Sequence, residues 1–383
     1  MKVEESIKSD SKAMKILKEH KDVILLFFAS RLIFTIIMAL TPTPFLEIWG
    51  LFDTEHYRLI AASGYNEDIT VFFPVIPLLI RYISDVGLVI LNNIAFFFSL
   101  VLIKYILKDH YNFKEYGTII GILAFSPQSF FSMLEYTESL FFLLTVSAFI
   151  LFIKKKHFWA LGLILGLSVA TRNSGSMLFL AIFAGMCIQW LRKEIKIVDI
   201  LVTYIPATAI SLIYPIYLQV NFGNWKIFMD AQMDYWLRIS SNIFKTTFIE
   251  LQVIFTDTYK YDGLDFTVLH KTNESLSLIL LICTCILLFT EIRPMVKARK
   301  INIESLVLVL YTVFFLITIN MTIRDPKIDC PTDSFYRYYA GLFPLYLMLR
   351  NVRRKQVLQI TLMVTLFITL VTSFIFSKGI FFF

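Results

Sequence analysis

Apolar segments recur along the whole chain, and they restrict its fold more than any other feature. They lie near 22–40, 86–107, 117–134, 138–153, 158–173, 176–191, 197–220, 275–290, 304–320, 337–350 and 356–377. About 20 apolar residues let a helix cross a bilayer upright. In lipid, backbone polar groups are satisfied only within helices or closed barrels. Charged residues make up 17% of the 383, against ~25% in soluble domains. The chain therefore reads as one all-α polytopic membrane domain, residues 1–383, a bundle of about 11 transmembrane helices. The segments at 117–134 and 158–191 are short enough to be re-entrant or tightly paired.

The formal net charge of +7 raises the question of nucleic acid. The basic residues answer it, because they sit in short loops between apolar segments and form no basic face on a soluble region. The excess is a topology signal, and no nucleic-acid partner is expected. With the N-terminus cytoplasmic, the inside segments hold 23 of the 36 Lys and Arg and only 11 of the 29 Asp and Glu. The same alternation places the C-terminal GIFFF outside. Residues 1–21 form a cytoplasmic N-terminal segment. The apolar run after it is long, carries Arg31 and ends in TPTP, so it reads as an uncleaved first span.

Two outer segments are long, 41–85 and 221–273, whereas every inner loop is short. Long loops on one face usually carry function. The outer face also holds two glycosylation sequons, Asn273-Glu274-Ser275 and Asn320-Met321-Thr322. Cys187, Cys283 and Cys285 fall inside apolar segments, and Cys330 lies in a polar loop. No disulfide and no zinc spacing follows. No internal repeat of the transporter kind is present.

Chemistry-bearing residues crowd the outer side. In FDTEHY (Phe52 to Tyr57), helical spacing puts Asp53, His56 and Tyr57 on one face and turns Glu55 away; a strand would align Asp53, Glu55 and Tyr57 instead. An ionised aspartate can take a proton from a hydroxyl, or it can simply start a helix. In GYNEDITVFFPVIPLL, Pro74 and Pro77 are expected to break regular helix. Phe72 and Phe73 suit a segment lying in the membrane interface. In FSPQSFFSMLEYTESLF, Glu135 and Glu138 stand near membrane depth, where acids are paired or functional. Arg172 in ATRNSG is expected at the same level, either as the partner of Glu138 or as a guanidinium for a phosphate. Phe228, Gln232 and Trp236 recur at spacings of four, as interfacial anchors or as the wall of a groove for sugar or lipid. Arg337, in SFYRYYAGLFP, is a second phosphate candidate or a snorkelling side chain.

These segments and their order resemble the PIG-V-type mannosyltransferases, the second mannosyltransferase of GPI-anchor assembly and its prokaryotic relatives, within the GT-C superfamily. FDTEHYRLIAASGY, FFPVIP, SPQSFFSMLEYTESLF, ATRNSG and the FGNW…F…Q…W pattern of Phe222 to Trp236 carry the resemblance. The family opens its first motif with Trp-Asp where this chain has Phe52-Asp53. Its C-terminal His-x-Gln-Val and Pro-x-x-Tyr-Trp motifs are missing, and INMTIRDP and SFYRYYAGLFP stand in their place. The shorter length points to a prokaryotic homologue.

The resemblance implies a GT-C-like bundle. It further implies a glycosyltransferase that moves a sugar from a polyprenyl-phosphate donor to a lipid or glycan acceptor on the extracytoplasmic face. Asp53 maps to the catalytic base and His56 to its helper. Glu55, Tyr57, Glu138, Arg172, Gln232, Trp236 and Arg337 are the expected donor-phosphate or substrate-binding residues. A single carboxylate acting by direct displacement inverts the anomeric carbon. No cofactor is required, and no spacing demands a metal, although a divalent ion is compatible with the chemistry. The expected location is the plasma membrane in a prokaryote and the endoplasmic reticulum in a eukaryote, with membrane lipids as surroundings. The competing class is a polytopic lipid or glycan transporter or flippase. It would carry ionisable residues near the bilayer midplane, where only Arg31 is expected.

Overall fold

The structure, a computed structural model, describes residues 18–256, 260–261, 264–265, 267–326 and 330–380. Most of the expected N-terminal segment and the last three residues of GIFFF lie outside the described residues. In chain order the helices are α1 (Lys21–Ala39), α2 (Phe45–Trp49), α3 (Asp53–Ser63), α4 (Val75–Lys104), α5 (Tyr116–Ala124), α6 (Pro127–Phe131), α7 (Glu138–Lys154), α8 (Phe158–Thr171), α9 (Gly175–Leu191), α10 (Ile197–Phe222), α11 (Ile227–Asp234), α12 (Ile243–Phe255), α13 (Thr267–Ala298), α14 (Ile303–Ile319), α15 (Phe335–Ala340), α16 (Phe343–Met348) and α17 (Lys355–Ser377). Short strands β1 (Arg238–Ser240), β2 (Lys260–Tyr261), β3 (Leu264–Asp265) and β4 (Thr322–Arg324) form two small antiparallel ladders, β1 with β4 and β2 with β3.

Five helices are long and apolar enough to cross a membrane: α1, α4 with its extension to His110, α10, α13 and α17. Helices α8, α9 and α14 are shorter apolar helices. The chain is an integral, multi-pass membrane protein. Across the five long helices only 22% to 44% of the apolar window is buried, so most of their surface is left for lipid.

The centre belongs to two interrupted elements. Every residue from 119 to 139 is buried, although this stretch is broken between α5 and α6 and again between α6 and α7. Almost all of 330–348 is buried too, across the break between α15 and α16. The continuous segments expected at 117–134 and 337–350 are therefore each two short helices. Pro127 and Pro344 each start a new helix, because proline fits the first turn and not the interior. Non-helical backbone at membrane depth is tolerated only inside protein. Asn92 meets that need by donating to the carbonyls of Leu134 (2.8 Å) and Tyr136 (2.9 Å). Arg31 donates to Asn93 Oδ1 (2.8 Å), Ser132 Oγ (2.5 Å) and both Ser129 oxygens, and its guanidinium lies over Phe27 and Phe96. It pins α1 to the broken element.

Close helix approach uses small residues. A Cβ on Gly162 would meet the Thr203 carbonyl oxygen at 2.2 Å, and one on Gly166 would meet the Ala207 carbonyl oxygen at 2.9 Å. Gly162 and Gly166 thus let α8 lie against α10 as small-xxx-small pairs do in membranes.

Three boundaries differ from expectation. The span expected from 86 begins as α4 at Val75, with Ser84 in left-handed backbone (φ 66°) dividing about two and a half leading turns from the span. Pro74 and Pro77 sit at its cap and first turn, so they start a helix where a break was expected. The helix expected at 275–290 runs from Thr267 to Ala298, because Asn273, Glu274 and Ser277 are buried inside the protein. Phe72 and Phe73 pack inward, against His56 and Tyr214 respectively. Both sequon asparagines are buried, Asn273 at 5% and Asn320 at 2% exposure, so neither presents its amide to a glycosylating enzyme.

The short basic loops converge on one end of the bundle. Lys155 pairs with Glu194 (2.6 Å), Arg350 with Glu291 (2.6 Å), His110 with Glu304 (2.8 Å) and Lys355 with Glu115 (3.3 Å). Helix α7 starts at Glu138 and ends at Lys154, a rise of ~24 Å at 1.5 Å per residue. The cluster around Glu138 therefore occupies the opposite end.

Candidate active site

That opposite end holds a chain of alternating charges. Arg337 Nη1 lies 2.9 Å from Asp53 Oδ2, and its Nε lies 3.4 Å from Glu138 Oε1. Arg172 Nη1 reaches the same Glu138 oxygen at 2.7 Å. Arg337 is 4% exposed and Glu138 2%. Buried charges of this kind persist only when each is paired, and the order Asp53–Arg337–Glu138–Arg172 balances two acids with two bases. The rings of Phe131, Tyr136 and Tyr338 surround the Arg337 guanidinium, each centroid 5.3 Å away.

Backbone geometry presents both ends of the central pair. Phe52 has φ 59° immediately before Asp53, and Ser334 has φ 70° immediately before α15. Non-glycine residues rarely adopt such angles, at a cost of about 1–3 kcal/mol each. These two aim the first turns of α3 and α15 at each other. As the first residue of α3, Asp53 also gains from the helix N-terminus.

Around Asp53 lies a cavity of about 280 Å³, lined by Phe52, His56, Trp236, Leu269, His270, Asn273, Arg324, Cys330 and Asp333. His56 stacks on Phe72 (4.9 Å between centroids, 17° between planes) and meets Trp236 edge-on at 5.2 Å. Trp236 Nε1 donates to the Asp68 carbonyl at 2.8 Å, which fixes the indole as a wall. Asp53 Oδ2 is held by Arg337; among the described residues Oδ1 accepts no hydrogen bond.

Tyr57 is buried on the far side of Phe72, edge-on at 5.2 Å. Burial pushes its phenol well above the usual range, and the Asp53 and Glu138 carboxylates add to the shift. It stays neutral and can donate a proton only as a hydrogen bond.

The structure brings Asp53, His56 and Trp236 to the cavity and places Glu138, Arg172 and Arg337 behind it in the ionic chain. Glu55 is exposed and turned outward, because two residues along a helix set it about opposite Asp53. Gln232 lies on α11 away from the cavity lining. That helix stops at Asp234, so Trp236 reaches the site from beyond its end and the expected shared face with Gln232 does not form. Phe228 packs on Phe73.

Several residues at the site are not site candidates on sequence grounds, even where the sequence reading names them for other reasons. Arg324 lines the cavity from the end of β4 and pairs with Asp333 at 3.3 Å. His270 and Asn273 enter from α13, and the Cys330 thiol donates to Glu274 Oε1 at 2.9 Å. Their signal was the INMTIRDP segment and the polar start of α13, both weak when read alone. Arg58 forms a bidentate pair with the fully buried Glu135 (2.5 and 2.9 Å) and also reaches Asp85 (3.4 Å), locking α3 to the broken element. Glu250 on α12 is buried, and its carboxyl is pushed up to about 8 by burial, with the nearby Glu274 carboxylate adding to it. Among the described residues no group of three or more His, Cys, Asp and Glu side chains is placed to hold a metal ion.

Fold and site together define a polytopic membrane protein with a buried ionic chain opening on a polar cavity at one end. No known protein-family model matches the chain, and no curated protein matches its sequence. Its solved structural neighbours include the oligosaccharyltransferase of Archaeoglobus fulgidus. In the apo form of that enzyme the likeness has a TM-score of 0.47 at 14% identity, covering 93% of this chain and 56% of that one. In the form tethered to an acceptor peptide containing the NVT sequon, the values are 0.46, 12%, 94% and 56%. This chain spans about half the length of the enzyme it resembles.

Proposed function

We propose that the protein is a glycosyltransferase of GT-C type. It would transfer a sugar from a polyprenyl-phosphate donor to a lipid or glycan acceptor, with Asp53 as the base and with inversion at the anomeric carbon. The observation that carries this reading is the state of the Asp53 carboxylate. One oxygen is held by a buried guanidinium, and the other accepts no hydrogen bond among the described residues and lies at the wall of the cavity. An acceptor hydroxyl seated against Oδ1 gives its proton to Asp53 as its oxygen bonds to the anomeric carbon. The carbon–oxygen bond to the phosphate breaks, and the electron pair leaves with the polyprenyl phosphate. That leaving group is already anionic, so no strong acid is needed; a fixed cation lowers the barrier as charge builds.

Arg324 is the arginine that lines the cavity, together with His56 and His270. Arg337 and Arg172 are committed to Asp53 and Glu138. Their role in this reading is to hold the base in place from behind the cavity, and the phosphate goes to Arg324, which is paired with Asp333 but lines the cavity itself. The ring of Trp236 supplies an apolar face for the sugar. The charge alternation of the sequence supports about eleven crossings with this cavity on the extracytoplasmic side. The narrower reading, a PIG-V-type mannosyltransferase, draws its support from the five ordered segments around these residues. It does not extend to the GPI acceptor, whose C-terminal motifs are missing.

The test is reconstitution of the purified protein in liposomes with a labelled polyprenyl-phosphate sugar and a membrane extract as acceptor. The expected result is label moving into a lipid or glycan product. Movement of the intact donor between leaflets, with no new glycosidic bond, would give the chain to the transporter class.

A further inference from the structure

A second cavity, of about 620 Å³, lies at the basic end of the bundle between the ends of α7, α9, α13 and α14. Helix α13 runs between the two cavities, lining the Asp53 cavity near its start at Leu269, His270 and Asn273 and this one near its end at Glu291, Pro294 and Met295. Each of its three carboxylates already has a hydrogen-bonded partner, and the four lining Lys and Arg outnumber them by one. Glu194 is paired with Lys155, Glu304 with His110, and Glu291 with Arg350 and Asn351. Two lining cations are left over. Arg192 makes one hydrogen bond, to the Ile301 carbonyl (3.1 Å), and Lys300 makes no ion pair among the described residues. Gln189 also lines the cavity. It is 3% exposed, and its Oε1 is buried without a hydrogen-bond partner. A buried acceptor left unpaired costs about 1–3 kcal/mol, so the site asks for a donor as well as an anion. The surplus of positive charge disfavours an ammonium as that donor and favours a hydroxyl. Trp190, Leu191, Val296 and Ile301 around these residues are exposed and apolar. On a membrane protein such residues face acyl chains.

We propose that this cavity binds the headgroup of an anionic, hydroxyl-bearing glycerophospholipid drawn from the leaflet at the basic end. The phosphate lies against Arg192 and Lys300, and a headgroup hydroxyl donates to Gln189. This site is independent of the transfer chemistry at Asp53.

The experiment follows thermal unfolding of the purified full-length protein in neutral detergent with added short-chain phosphatidylglycerol, phosphatidylethanolamine or phosphatidylcholine, and separately with glycerol phosphate. Phosphatidylglycerol should raise the unfolding temperature saturably, and the other two lipids should not. The Arg192→Ala, Lys300→Ala double variant changes only exposed side chains. It should unfold like the parent without lipid and bind phosphatidylglycerol at least about tenfold more weakly, as loss of charged hydrogen bonds predicts. Gln189→Leu should lower the preference for phosphatidylglycerol over phosphatidylethanolamine. Equal shifts from all three lipids, or parental affinity in the double variant, would overturn the proposal. Stabilisation by glycerol phosphate at the same concentrations as the lipid would place the ligand in the aqueous phase and overturn the lipid assignment.

Discussion

Arg337 Nη1 stands 2.9 Å from Asp53 Oδ2, across 284 positions of sequence. Because the same guanidinium also meets Glu138, it is the joint between the first outer loop and the two interrupted elements at the centre. Removing it leaves Asp53 without its cation and leaves the buried Glu138 with Arg172 alone. Arg337→Ala is therefore expected to destabilise the protein by about 3–5 kcal/mol, the cost of breaking a buried pair from one side. Combining it with Asp53→Asn should restore part of that loss. Unfolding of the single and double variants in detergent measures both.

Arg324 and Arg172 separate two assignments of the donor phosphate. If Arg324 holds it, Arg324→Gln should raise KM for the polyprenyl-phosphate sugar by about tenfold or more, the worth of a charged hydrogen bond. Arg172→Gln should leave KM near the parental value and lower thermal stability, since its partner Glu138 is buried. The reverse pattern would return the phosphate to Arg172.

Glu250 makes stability depend on pH. Its carboxyl stands at about 8 in the folded protein against an ordinary 4.5, so the folded state keeps a proton that the unfolded state has lost. Its contribution is fully present below about pH 4.5 and disappears as pH rises through 8. The unfolding temperature should therefore decline between pH 5 and 8, by several degrees from this group. Glu250→Gln should flatten that decline. Parallel pH profiles for the two proteins would count against this assignment.

Gly162 tests the packing of α8 on α10. An added Cβ meets the Thr203 carbonyl oxygen at 2.2 Å, whereas at Gly117 nothing lies within 4 Å. Gly162→Ala should cost about 1–3 kcal/mol, as overpacking does, and Gly117→Ala should be neutral or mildly stabilising. Thermal unfolding of the two variants checks the difference.

Much of this architecture is legible in the residues. Charge alternation groups the basic loops, and the ion pairs Lys155–Glu194 and Arg350–Glu291 show them at one end. Helical spacing orders Asp53, His56 and Glu55 about α3, and depth in the membrane pairs Glu138 with Arg172. The interruptions are less visible. Apolar runs at 117–134 and 337–350 look continuous because a buried broken helix is as hydrophobic as a buried straight one, and only Pro127 and Pro344 hint at the restart. Arg337 with Asp53 escapes because the contact depends on left-handed backbone at Phe52 and Ser334, residue types that do not announce it. Asn273 reads as a sequon, since sequence does not show that it is buried.

Transfer by Asp53→Asn bears most directly on the central claim. The substitution keeps shape and leaves Arg337 paired with Glu138, so the protein should accumulate and still bind the polyprenyl-phosphate sugar. Removal of a general base typically lowers turnover by 10² to 10⁴, and the labelled-sugar assay should show a loss of about that size. Transfer at the parental rate by a correctly folded Asp53→Asn protein would contradict the assignment of Asp53 as the base.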